Sequence, residues 1–265
     1  MFVGINAHIT EPGVFLPYSK EFGQGLFDEQ KSKVQSQLCS YALYEDVLDA
    51  THIEEEWFPS IDADVFISHS HMDQELAIGL AGWLNKIFGI SSFIDSCVWG
   101  YADDLLKIID KKYCVSKRKP DGSIDTYDYK KRNQSTAHVH MILNTALQKM
   151  IDKTECLVFL NTPNSLLIDD VIGGSTTASP WIYSELSFSR MCRQKKLAEY
   201  RSHLVHDSIH EFTPLNVKYD VSLSHLVDIT DRDLLQLWMN SRQKRPQEAL
   251  DDLYTNLGLL PHGGV

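Results

Sequence analysis

The chain has 265 residues, 43% of them hydrophobic and 23% charged, long enough for one large α/β domain with decorations or for two small ones, of which one domain plus extensions is expected, with no compositional sign of disorder. A formal net charge of −11 argues against general affinity for nucleic acid, because neutralising phosphates requires a basic surface. The apolar runs are too short for a bilayer span, and the opening MFVGINAHITEPG lacks the basic flank of a secretion signal, so a cytoplasmic protein with no membrane partner is expected.

Residues 1–60 read as an N-terminal helical extension docked on the main domain. Between Glu29 and His52, the residues Val34, Leu38, Tyr41, Tyr44, Val47 and Leu48 recur at helical spacing, with Asp28 as the N-cap. Glu54 to Glu56, followed by Trp57, Phe58 and Pro59, form a linker or an abrupt turn.

The pattern then changes over residues 61–230. Asp64 to Ser68 is a short β-branched apolar run, as a buried parallel strand requires. From Gln74 to Phe88 the apolar residues keep a helical period, and Gly89 stands at the C-terminal stop. Ser91 to Asp95 supplies a second strand. A helix capped by Ser135 or Thr136 runs through Ile151 into a third strand, Cys156 to Leu160. Ser179 as N-cap and Pro180 at the first helical position open a helix from Trp181 to about Gln194. Leu215 to Val221 and Leu226 to Ile229 are weaker strand candidates. Residues 231–265 form a C-terminal helical segment, with helices from Arg232 to Ser241 and from Pro246 to Leu257. Strands alternating with helices predict a parallel sheet covered on both faces, its ligand site at the carboxyl ends of the strands.

Two connections exceed the few residues usual in such units. Ser96 to Gln134 is an inserted basic loop: a short helix from Ala102 to Tyr113, then a hairpin turning at Pro120 to Gly122. It gathers Lys111, Lys112, Lys117, Arg118, Lys119, Lys130, Lys131 and Arg132, which suit either a phosphate-bearing ligand or acidic partner, or simply a solvated loop. The second long connection, Ile168 to Ala178, carries Gly173-Gly174 and a Ser/Thr run and reads as a flexible tether or lid.

Chemistry concentrates near Trp181 and Glu185, four apart at a helix start and therefore on one face. The helix dipole favours an ionised carboxylate there unless burial opposes it. Such a carboxylate could steady an oxocarbenium-like ribosyl centre. Spacing alone favours ordinary packing plus a dipole-compensating charge. His69, His71 and Asp73 form an H-x-H-x-D string short of a convincing metal set, so no metal is expected. His138 and His140, two apart near a helix start, suit capping or surface roles. Asp95 and Trp99 follow the second strand and suit a ribose contact or pocket wall, Trp99 equally the core. The five cysteines (Cys39, Cys97, Cys114, Cys156, Cys192) show no C-x-x-C pair and read as reduced thiols.

Taken in order, DVFISHSHMD, FID, CLVFLNTPNSL and PWIYSEL resemble the signature segments of TIR (Toll/interleukin receptor-like) domains, the bacterial ones especially. The resemblance covers about Ala63 to Arg193, with a fainter continuation to Ile229. It implies a flavodoxin-like fold and, in enzymatic members, cleavage of NAD at the nicotinamide–ribose bond to ADP-ribose or a cyclised product, with NAD as substrate and no cofactor. Some bacterial members serve antiphage defence, including the Thoeris systems, where the product activates a separate effector; others are adapters without activity. Carried onto this sequence, the catalytic glutamate is Glu185, the flanking aromatic is Trp181, and Ser68, His69, His71 and the loop after Asp95 line the nucleotide pocket. Self-assembly through TIR surfaces is implied too, although the insert departs from the family there. A scaffold that binds a protein partner, and an N-ribosyl hydrolase or transferase acting on another nucleotide, are the alternatives.

Overall fold

The computed structural model describes residues 1–44, 61–169, 174–201, 219–220, 223–241 and 244–260. In chain order it contains β1 (Val3–His8), α1 (Gln24–Tyr44), β2 (Val65–Ser68), α2 (Gln74–Phe88), β3 (Ser92–Ile94), α3 (Ala102–Tyr113), a hairpin of β4 (Val115–Arg118) and β5 (Ile124–Tyr127), and α4 (Tyr129–Lys153). There follow β6 (Cys156–Asn161), β7 (Leu167–Asp169), β8 (Gly174–Thr177), α5 (Pro180–Met191), β9 (Tyr219–Asp220), β10 (Val227–Thr230), α6 (Asp231–Ser241) and α7 (Pro246–Asn256).

Five strands make one all-parallel sheet in the order β3-β2-β6-β1-β10. The fold is α/β and flavodoxin-like: β3-β2-β6 reproduces the 2-1-3 arrangement of that class, with its switch point between β2 and β6. Residues paired across parallel strands point to the same face. On one face Ile5, Val65, Cys156 and Val158 meet Leu80 and Leu84 of α2, Leu234 and Leu237 of α6, and Leu250 and Leu253 of α7 around a small apolar cavity. The other face carries Phe66, Leu157 and Phe159, and α5 lies on it, since Glu185 reaches Ser68. Burying a run such as Phe66, Ile67, Leu157 and Phe159, each essentially inaccessible, is the main drive to fold, at about 1.5–3 kcal/mol per large side chain.

Local signals set most boundaries. Gly89 ends α2 with φ of 68°, a left-handed cap conformation open to glycine without steric cost. Ser179 caps α5 by accepting from the Ile182 backbone N–H at 3.3 Å, with Pro180 in the first turn. The expected turn at Pro120 to Gly122 joins β4 to β5.

Four expectations need correction. Residues 1–60 are not only a helical extension, because β1 lies inside the sheet between β6 and β10. A boundary at residue 60 therefore cuts one hydrogen-bonded sheet. Asp28 is not an N-cap: α1 already begins at Gln24, whose side chain donates to the Asp28 carboxylate at 2.9 Å. α4 starts at Tyr129 rather than Ser135, since Asp128 accepts from the Lys131 backbone N–H at 3.0 Å and caps it there. The stretch from Ile168 is not a plain tether, for β7 and β8 pair antiparallel and β9 adds to β8. Expectations for Glu45 to His52, Glu54 to Pro59, Leu215 to Lys218 and Gly173 lie outside the described residues.

Candidate functional site

The site grows from the carboxyl ends of β2 and β3. Ile67 pairs with Ile94, and the Asp95 backbone N–H donates to the Ile67 carbonyl at 3.2 Å, which sets Asp95 beside the exit of β2. One oxygen of its carboxylate accepts from the His69 backbone N–H at 3.1 Å. The other lies 2.5 Å from His69 Nδ1. Both side chains are fully buried.

Glu185 enters from the second turn of α5 and is 1% exposed. Ser68, the last residue of β2, donates its hydroxyl to Glu185 Oε2 at 2.6 Å. The Asp95 carboxyl is the other neighbour, and burial together with its charge pushes Glu185 well above the ordinary carboxylate range, against the opposing pull of the Ser68 hydrogen bond. Two adjacent buried carboxyls cannot both ionise at ordinary cost, so the pair holds a proton. Beyond it, the Trp99 ring packs against His69 at 5.6 Å and His71 at 5.5 Å between centroids.

Buried polar groups are normally paired. Here His69 Nε2, Ser96 Oγ and Trp99 Nε1 lack a hydrogen-bond partner, while Asp95 lies between His69 Nδ1 and Glu185 and answers both. Each such group costs about 1–3 kcal/mol. They gather just beyond the carboxyl ends of β2 and β3, on the side of an open parallel sheet where ligands bind.

Of the residues expected here, Ser68, His69, Asp95 and Glu185 come together, with Trp99 and His71 adjoining. Trp181 takes a different place: its half-buried ring packs edge-on against His140 of α4 at 5.6 Å. The indole against the cluster is Trp99. Asp73 accepts from Thr162 Oγ1 at 2.6 Å and Asn164 Nδ2 at 2.8 Å, which ties the segment after β2 to the segment after β6. Thr162 and Asn164 were not singled out from the sequence, although a polar N-T-P-N-S run directly after a buried strand is the signal that marks them. The insert contributes Ser96 and Trp99 to the cluster. Lys117, Arg118 and Lys119 are exposed on the hairpin, while Arg132 pairs with Asp110 at 2.8 Å.

No family model matches this chain, nor does any curated protein or solved structure.

Proposed function

We propose that this protein cleaves the N-glycosidic bond of a nucleotide, with the nicotinamide–ribose bond of NAD as its target and Glu185 as the carboxylate that meets the ribosyl cation. The observation carrying this reading is Glu185 buried against Ser68 and Asp95 at the carboxyl ends of β2 and β3. The TIR-like order of DVFISHSHMD, FID, CLVFLNTPNSL and PWIYSEL supports it.

The chemistry asks for few groups. The C1′–N bond breaks, its electron pair neutralises the pyridinium nitrogen, and nicotinamide leaves. The oxocarbenium-like centre left behind needs a negative neighbour in a dry setting. Glu185 supplies that once ionised, and a cationic nicotinamide ring entering beside it favours the ionised form over the proton-holding one. Ser68 holds the carboxylate by one oxygen. Water, or a hydroxyl or ring nitrogen of the substrate itself, then bonds to C1′; where that nucleophile carries a proton it passes to a base, for which His69 Nε2 has a free position. Hydrolysis gives ADP-ribose, internal attack a cyclised product. Either product suits a nucleotide signal in antiphage defence.

The test is nicotinamide release from NAD by concentrated purified protein, with the products identified by mass spectrometry. Glu185→Gln is expected to reduce release at least 10²-fold while the protein stays folded, the scale seen when a key electrostatic group is lost. Equal release by both proteins would remove Glu185 from the chemistry. No release by either, with a protein co-purifying, would favour the adapter reading.

A further inference from the structure

The strand register draws a line across the sheet that leads away from Glu185. Ser68 pairs with Phe159, Phe159 with Asn6, and Asn6 with Asp228, so the four side chains stand in one row on one face. His8 lies two residues beyond Asn6 and shares its face. At the far end of the row, Asn6 Nδ2 donates to Asp228 Oδ1 at 2.6 Å and lies 3.0 Å from His8 Nε2, which is itself 3.2 Å from Asp228 Oδ1.

An asparagine is a costly residue for the middle of a buried parallel strand, where Val or Ile would pack without polar cost. Asn6 is 2% exposed and its Oδ1 has no partner. The His8 and Asp228 side chains beside it are open, at 45% and 74% exposure. The cluster therefore joins a buried, unanswered acceptor to an accessible carboxylate and imidazole. Strands are spaced by about 4.8 Å, so it begins roughly 10 Å from Ser68 and ends roughly 14 Å away.

We propose that Asn6, His8 and Asp228 form a second subsite for the vicinal hydroxyls of a nucleoside, and that it takes the far half of a dinucleotide whose near half lies at Glu185. The inference rests on the nucleotide-cleaving reading above. Its chemistry is that of an acidic side chain accepting from ribose hydroxyls at the edge of a parallel sheet. Asn6 Oδ1 adds a further acceptor, and His8 Nε2 gives or takes a proton as the diol requires.

The experiment measures equilibrium binding of NAD and of nicotinamide mononucleotide, which lacks the far half, to full-length protein carrying Glu185→Gln so that neither ligand turns over. The Glu185→Gln protein is expected to bind NAD more tightly than the mononucleotide. Adding Asp228→Ala, at a site too exposed to unfold the chain, is expected to weaken NAD at least tenfold and to leave the mononucleotide within twofold; His8→Ala should act the same way. Unchanged NAD affinity in both variants overturns the subsite, as does equal weakening of both ligands, which would report a structural role. Equal affinity of the starting protein for the two ligands also overturns it, with the Glu185 end untouched. Binding of neither ligand overturns the nucleotide reading and the subsite with it.

Discussion

Glu185 keeps its proton beyond the ordinary carboxylate range because burial and Asp95 oppose its ionisation. That has a consequence for stability. An unfolded chain gives up the same proton near 4.5, so above that pH the folded state binds more protons than the unfolded one. The stabilisation tied to this group is complete below the unfolded value and is lost as pH rises toward the folded one. Glu185→Gln keeps an acceptor for Ser68 and offers an amide donor to Asp95, yet cannot ionise. Thermal unfolding of both proteins from pH 4 to pH 8 should show similar Tm at the acid end and a growing advantage for the Gln variant toward neutrality. A gap independent of pH would mean that Glu185 does not hold the proton. At this scale the sequence was informative where a residue sits at a strand end: Ser68, His69 and Asp95 could be placed by the ends of two apolar runs. Trp181 could not, because spacing along α5 fixes a face but not the neighbour, and α4 brings His140 to it.

Elements show the same division between local and distant causes. α2 is legible from Gln74 to Gly89 because its period and its cap are local. The segment that packs on it is not. Leu16–Tyr18 forms a single helical turn and Ser19–Gly23 a π-helical one before α1 begins, a local widening rare outside sites with a special constraint. The constraint here is close backbone approach to α2. A Cβ at Gly82 would fall 2.6 Å from the Tyr18 carbonyl oxygen and 2.7 Å from the Gly23 nitrogen, and one at Gly23 would fall 2.1 Å from the Ile78 carbonyl oxygen. These obstacles are backbone and cannot swing aside. Gly82→Ala is expected to cost about 1–3 kcal/mol, read as a lower urea midpoint at unchanged slope; a neutral result would show that the two segments separate without penalty. The early start of α4 has a related cause. Tyr129 to Gln134 is polar and shows no apolar period, and only the Asp128 cap starts the helix there.

For the whole molecule, the alternation of strands and helices was enough to predict the α/β class, but not the strand order. β1 reads poorly as a strand because Gly4 and Asn6 interrupt it, while its pairings with β6 and β10 lie more than 140 residues away in sequence. Those pairings make residues 1–60 integral to the sheet. A chain beginning at Ile61 would leave β6 and β10 without their shared neighbour and would uncover Ile5's place in the core, where Ile5 is wholly inaccessible. Such a chain is expected to show no cooperative thermal transition, and a sharp one would restore the boundary near residue 60.

The position of β1 also bears on how the protein is made. At ribosomal rates of about 5–20 residues per second, roughly 8–30 s separate the emergence of Val3–His8 from that of Cys156–Asn161. β10 comes later still. During that interval β2 and β3 can pair and α2 can cover them, but β1 has no neighbour in its final register. The nascent chain must therefore carry β1 unpaired until β6 has been made. A binder that shields this strand while it waits would raise the yield of folded protein without touching any contact present in the finished molecule.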